Sequence, residues 1–154
     1  MDEQQALRNH LIRLLQWEDA HSGFDAAVAD LPRDLRGGKP EGQPHTPWRL
    51  LEHLRICQWD IMEFARTPDH VSPEFPEGYW PAADAPPTGE AWNESVDRFR
   101  KDLGTMTSLV ADPSRDLLSP LPHGTGQTLF REAVLLADHN AYHIGQLILL
   151  RRLL

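Results

Sequence analysis

Residues 128–154 read TLFREAVLLADHNAYHIGQLILLRRLL. Thr128 is a capping residue type. From there Glu132, Leu136, His139, His143, Leu147 and Leu150 recur at spacings of three and four, the stripe of one face of an α-helix. Arg151 and Arg152 suit the negative end of that helix. His139 and His143 are four apart and therefore stack one above the other, with Cβ atoms about 5–6 Å apart. Two imidazoles so placed can grip one metal ion. The plainer reading is a polar strip, but Leu135, Leu136, Leu147 and Leu150 flank it. Burying two neutral imidazoles without partners would cost a few kcal/mol, so a shared metal is the simpler account. A pair is half a site, since a metal centre normally draws at least three ligands from the protein.

Proline placement divides the rest of the chain. All 13 prolines lie between Pro32 and Pro122, grouped at 32–47, 68–87 and 113–122. The windows 1–31, 48–67, 88–112 and 123–154 are free of them. An interior proline costs a helix about 3 kcal/mol, so these windows predict four helices.

In the first window Leu7, Leu11 and Leu14 start a stripe that continues through Glu18, His21, Asp25 and Val28. Heptad spacing from Leu7 puts His21 toward the core, while Ser22-Gly23 is a place to kink or split the helix. The second helix starts at Thr46 as cap and Pro47 at the first helical position. It buries Leu50, Leu54, Ile61 and Phe64, carries His53, Cys57 and Asp60 on one side, and stops at Thr67-Pro68. Residues 69–87, rich in Pro, Gly and aromatics, form a connection longer than such loops usually are, either a lid over a site or a crossover strap. The third helix, from near Thr88, carries Trp92, Val96, Phe99, Leu103, Met106 and Val110, a stripe with no ionisable group in it. No strand signal, repeat or low-complexity tract is present. The fold class predicted is all-α, an antiparallel four-helix bundle with a long connection between helices two and three, in one domain spanning 1–154.

Composition narrows the function. The net charge of −8 argues against a nucleic-acid partner, which would need a clustered basic face. Only Lys39 and Lys101 among the 15 basic residues are lysine. An arginine bias can serve carboxylate or phosphate recognition, although a biased genome produces it without function. One cysteine, Cys57, permits no internal disulfide, no apolar run is long enough to span a bilayer, and the Met1-Asp2-Glu3-Gln4 start resembles no signal peptide. The expectation is a cytoplasmic protein without a membrane partner.

Bundle cores are built for metal sites from facing helices, and His53 is the natural third ligand beside His139 and His143. His21 is more plausibly a hydrogen-bonded core residue or a neighbour of the site than a ligand. Cys57, one turn after His53, is by type a small buried hydrophobe, yet it or His21 can close a fourth position. Asp60 and Glu132 are placed to orient a ligand histidine, or are plain acids. His45, just before the helix-two cap, lies near the mouth of the site. His10, His70 and His123 are assigned nothing. Phe75, Tyr79 and Trp80 are placed to roof a pocket.

A family likeness rests on these segments. His45-Thr46-Pro47-Trp48-Arg49-Leu50-Leu51-Glu52-His53-Leu54-Arg55 with Gln58-Trp59-Asp60-Ile61, and Gly126-Gln127-Thr128-Leu129 with Arg131-Glu132-Ala133 and His139-Asn140-Ala141-Tyr142-His143-Ile144-Gly145-Gln146, resemble the DinB-like superfamily. That superfamily includes YfiT-like proteins and the mycothiol-dependent maleylpyruvate isomerase N-terminal domain. The resemblance covers nearly the whole chain. It implies a divalent metal held by one histidine of helix two and two residues of helix four, which here match His53, His139 and His143. It also implies a homodimer, a link to stress response and, for some members, transfer chemistry with a low-molecular-weight thiol. No residue marks a thiol pocket, and the chain ends with helix four, so no second domain is expected to define a substrate.

Three neutral imidazoles leave an ion its full charge and one open position. Water there would have its pKa brought toward 7, giving a hydrolase, whereas a thiol would be held as thiolate, giving an S-transferase. A non-enzymatic metal-binding or small-ligand-binding protein is the third reading. Zinc, nickel, iron or manganese would each suit three histidines.

Overall fold

Two threonines start the helices that carry the histidines. The Thr46 hydroxyl accepts the Arg49 N–H at 3.2 Å, with Pro47 at the first helical position, and the Thr128 hydroxyl accepts the Arg131 N–H at 3.1 Å. The computed structural model describes residues 3–16 and 20–154. Its elements are α1 (Glu3–Gln16), α2 (Phe24–Val28), α3 (Pro47–Arg66), α4 (Ala91–Ala111) and α5 (Leu129–Leu153), with single 3-10 turns at Arg33–Leu35 and Glu77–Tyr79. Among the described residues there is no strand, only an isolated bridge between Pro120 and Thr128. The chain is all-helical, as expected.

Helix direction follows from two apolar clusters. The first takes Leu50, Leu51 and Leu54 from α3, Trp92, Val96 and Phe99 from α4, and Ile144, Leu147 and Leu150 from α5. The second takes Met62 and Ala65 from α3, Met106, Leu109 and Val110 from α4, and Leu129, Ala133, Leu136 and Ala137 from α5. α3 and α4 meet the clusters in the same order, so they run in the same direction, and α5 runs against both. An all-antiparallel arrangement therefore does not extend to α3 and α4, which are parallel neighbours. Two parallel neighbours oblige the chain to travel back the length of a helix, about 30 Å for the 20 residues of α3. That is the physical reason for the long strap at 67–90.

In the first window the helical run is interrupted at Ser22-Gly23, where the sequence allows a kink or a split. α1 is described over Glu3–Gln16 and α2 begins at Phe24, after Gly23 in an extended conformation. Phe24 leaves the α1 axis to stack on Phe99, ring centroids 3.7 Å apart, and anchors the short helix in the first cluster. Heptad arithmetic does not survive such a break. His21 falls in the bend, exposed, with its Nδ1 3.0 Å from the Ser22 carbonyl. Glu18, expected on the same stripe, lies outside the described residues. Leu11 and Leu15 are the buried leucines of α1, and Leu7 and Leu14 are only half-buried. Buried Arg8 donates to the carbonyls of Val110, at 2.7 Å, and Arg115, which satisfies the carbonyl end of α4.

One polar rung crosses the apolar interior. Asn140 Nδ2 donates to Gln58 Oε1 at 2.8 Å, and Gln58 Nε2 donates to the Phe99 carbonyl at 2.6 Å, so α5, α3 and α4 are tied at one level. Both side chains are within 1 % of full burial. A slip of either helix along the other would strand these groups without water, so the rung sets register. Gln58→Ala is expected to lower stability by about 2–4 kcal/mol, through the cavity and the unmet amide of Asn140. The denaturant midpoint should fall with an unchanged slope, and a change under about 0.5 kcal/mol would show that the rung does not hold the register.

Candidate metal centre

The register set by Gln58 and Asn140 brings His53 of α3 opposite His139 and His143 of α5. The Nε2 atom of His53 lies 3.2 Å from that of His143 and 3.2 Å from that of His139. His53 is buried and the other two are half-buried. One ligating atom from each of the three falls within 4.8 Å of the others, so the group could hold a metal ion.

Proton positions follow from what each Nδ1 touches. His53 Nδ1 donates to the Tyr79 carbonyl at 2.9 Å, and His143 Nδ1 donates to Gln146 Oε1 at 2.7 Å. Both acceptors lack a proton, so these bonds assign the hydrogen to Nδ1. In the neutral rings each Nε2 then presents a lone pair, and two lone pairs face each other at 3.2 Å with no hydrogen between them. The arrangement is repulsive for the protein alone and suited to a shared cation. Zinc-to-nitrogen bonds of about 2.0–2.1 Å in a tetrahedral centre separate the nitrogens by about 3.3–3.4 Å. The observed spacing fits.

The environment keeps the rings in the ligating, neutral form. Burial, followed by the charges His143 and His53 would carry, holds His139 down at about 3. Burial and then His53 hold His143 at about 4, against a raising effect of the Gln146 bond. Burial also lowers His53, partly offset by its bond to Tyr79.

The strap between α3 and α4 covers one side. Trp80 stacks on His53 with ring centroids 3.8 Å apart and planes 3° apart, and on His45 at 4.2 Å and 14°. The Tyr79 hydroxyl donates to Asp60 Oδ2 and the His70 Nε2 donates to Asp60 Oδ1, both at 2.7 Å. Burial and then the bond to Asp60 push the Tyr79 phenol up to about 12, so it stays a donor. At the strap's other end the Thr46 hydroxyl donates to the Asp84 carbonyl at 2.6 Å. Phe75, expected in the roof, is 82 % exposed and takes no part in it.

The remaining candidates separate on geometry. His21 is exposed in the bend after α1, so it neither faces the core nor serves the site. Asp60 does not touch a candidate ligand. It holds Tyr79, whose carbonyl holds His53, and so acts one step further out than expected. Cys57 Sγ lies 3.5 Å from His53 Nδ1 and 3.8 Å from Nε2. Burial, then Asp60, pushes its thiol up to about 12, which keeps it protonated. Glu132 is buried with its carboxylate 2.7 Å from Arg131, not against His139. His45 does lie beside the site, through Trp80. Sequence reasoning missed His70, Gln146, Gln58 and Asn140, as well as the Tyr79 carbonyl. A backbone acceptor has no sequence signature, and only the Gln146 position, three after His143 on one helix, could have been read in advance.

A family model of the DinB superfamily matches residues 16–147, and the chain belongs to that superfamily. No curated protein and no solved structure matched the chain. Among the described residues no helix is long and apolar enough to cross a membrane.

The depressed histidines fix a pH dependence. An unfolded chain takes up protons near 6.5 that folded His139 refuses until about 3 and folded His143 until about 4. Their contribution to stability is therefore fully present above pH 6.5 and is lost as pH falls toward 4 and below. Thermal melts of metal-free protein should show the midpoint dropping through this window, and less steeply in His139→Gln. An equal slope in that variant would refute the assignment.

Proposed function

We propose that this member of the DinB superfamily binds one divalent metal ion through His53, His139 and His143, and that it is an enzyme transferring a low-molecular-weight thiol to or from a small molecule. The observation that carries the metal reading is His53 Nε2 at 3.2 Å from the Nε2 atoms of both His139 and His143, with the Nδ1 protons of His53 and His143 committed elsewhere. We read α1, α3, α4 and α5 as the family's four-helix bundle in a single domain, and the working protein as a cytoplasmic homodimer without nucleic-acid or membrane partners. Zinc, nickel, iron and manganese all accept such ligands.

When bound, the ion supplies Lewis acidity that favours a coordinated thiol as thiolate, or lowers the pKa of water. The chain's own residues supply position and shelter. The Tyr79 carbonyl and Gln146 orient two imidazoles and raise their basicity, as outer partners of metal-binding histidines do. Trp80 covers one face of His53 and keeps water from it. Cys57, held as thiol, is unsuited to nucleophilic attack on its own, so a reacting thiol would have to come from solution.

Thermal stabilisation of metal-loaded protein across a panel of cellular thiols tests this reading. A thiol substrate at 100 times its dissociation constant should add about 2.7 kcal/mol. The effect should vanish in His143→Ala. No response to any thiol would move the reading to a metal-dependent hydrolase or to a protein that sequesters metal or a small ligand.

A further inference from the structure

Beside Trp80, two buried polar atoms meet no hydrogen-bond partner among the described residues: Nε of Arg49 and Nδ1 of His45. Arg49 lies in the first turn of α3, and His45 immediately precedes its cap residue Thr46. The Arg49 guanidinium lies over the Trp80 ring at 5.8 Å, and His45 stacks on the same indole. Arg49 is three-quarters buried, and its one carboxylate, Asp84, is a weak partner at 3.4 Å and 60 % exposed. A buried guanidinium N–H left unmet is costly, and an acceptor brought by a ligand would recover that cost. Two positive side chains, Arg49 and Lys39, act on His45, in a chain of net charge −8. Burial first, then Arg49, the charge His53 would carry if protonated, and Lys39, hold His45 below its ordinary value. Trp80 stacks on both His45 and His53, so a single indole lies between this pair and the three-histidine centre, and a small molecule passing its edge can reach both.

We propose that Arg49 and His45 form an anion subsite that receives the carboxylate or phosphate end of a small molecule whose reacting end lies at the three-histidine centre. The subsite stands on its own geometry; its link to the reacting end rests on the metal reading above. Arg49 is then the residue that selects acidic substrates, with Asp84 as the internal carboxylate that a ligand displaces.

The Arg49 Nε–H resonance reports directly on the subsite. In metal-free protein it should move saturably with glutarate or with inorganic phosphate, and the tighter of the two names the anion class. The neutral diamide glutaramide should bind at least about tenfold more weakly, as expected for losing a charged hydrogen bond. Anion affinity should fall by a similar factor in Arg49→Gln, with the helical circular dichroism retained, and rise in Asp84→Asn. A resonance unmoved by either anion, or moved equally by glutaramide, would show that the two donors meet only water and would overturn the subsite whatever the metal result. In cobalt-loaded protein, 3-mercaptopropionate should bind at least about tenfold more tightly than 2-mercaptoethanol, and no more tightly in Arg49→Gln. Equal affinities in the unmodified protein would break the link to the centre. Anion binding without metal binding would leave the subsite standing and remove the metal reading.

Discussion

The Nε2 atoms of His53 and His143, with lone pairs facing one another at 3.2 Å, repel unless a cation lies between them, and the acceptors at their Nδ1 atoms hold them so. Two of the three rings are turned by acceptors at Nδ1, one a backbone carbonyl and one a glutamine. Burial then denies the rings the protons that would otherwise relieve the repulsion. What remains is a polar cluster that could hold a metal ion. The cost is carried by the apolar clusters on either side, which take Leu50, Leu51, Leu54 and Leu147 from one end and Leu136, Met106 and Leu129 from the other.

Helix direction and site construction are linked. Because α3 and α4 run the same way, their connection has to cross the molecule, and it passes over the histidines instead of turning back at the end of α3. Asp60 fastens this strap at Tyr79 and His70, and Thr46 fastens it at Asp84 while also capping α3. Trp80 and the Tyr79 carbonyl, the two groups that contact His53, lie between the fastenings. The strap is thus at once the topological return and the roof of the site.

The sequence made the local features legible. Thr46-Pro47 and Thr128 mark helix starts because capping is chemistry between near neighbours, and proline-free windows mark helices because proline breaks them wherever it falls. His139 and His143 were readable because helical spacing alone places them together, and His53 because its own helix turns it inward. What escaped depends on contacts across the fold. A heptad extended through Ser22-Gly23 puts His21 toward the core, whereas the chain bends there and Phe24 stacks on Phe99. The parallel run of α3 and α4 was invisible because nothing in either helix encodes the direction of its neighbour. His70 was set aside as a loop residue, since only the path of the strap brings it to Asp60.

The central claim is that three imidazoles, and no sulfur, hold one divalent ion. X-ray absorption at the metal edge, on protein purified without a histidine tag and assayed for metal content, tests it most directly. The account predicts one ion per chain with three nitrogen neighbours at about 2.0–2.2 Å and no sulfur, and loss of that ion in His139→Ala. Protein free of stoichiometric metal, or a sulfur neighbour at about 2.3 Å that would bring Cys57 onto the ion, would contradict it.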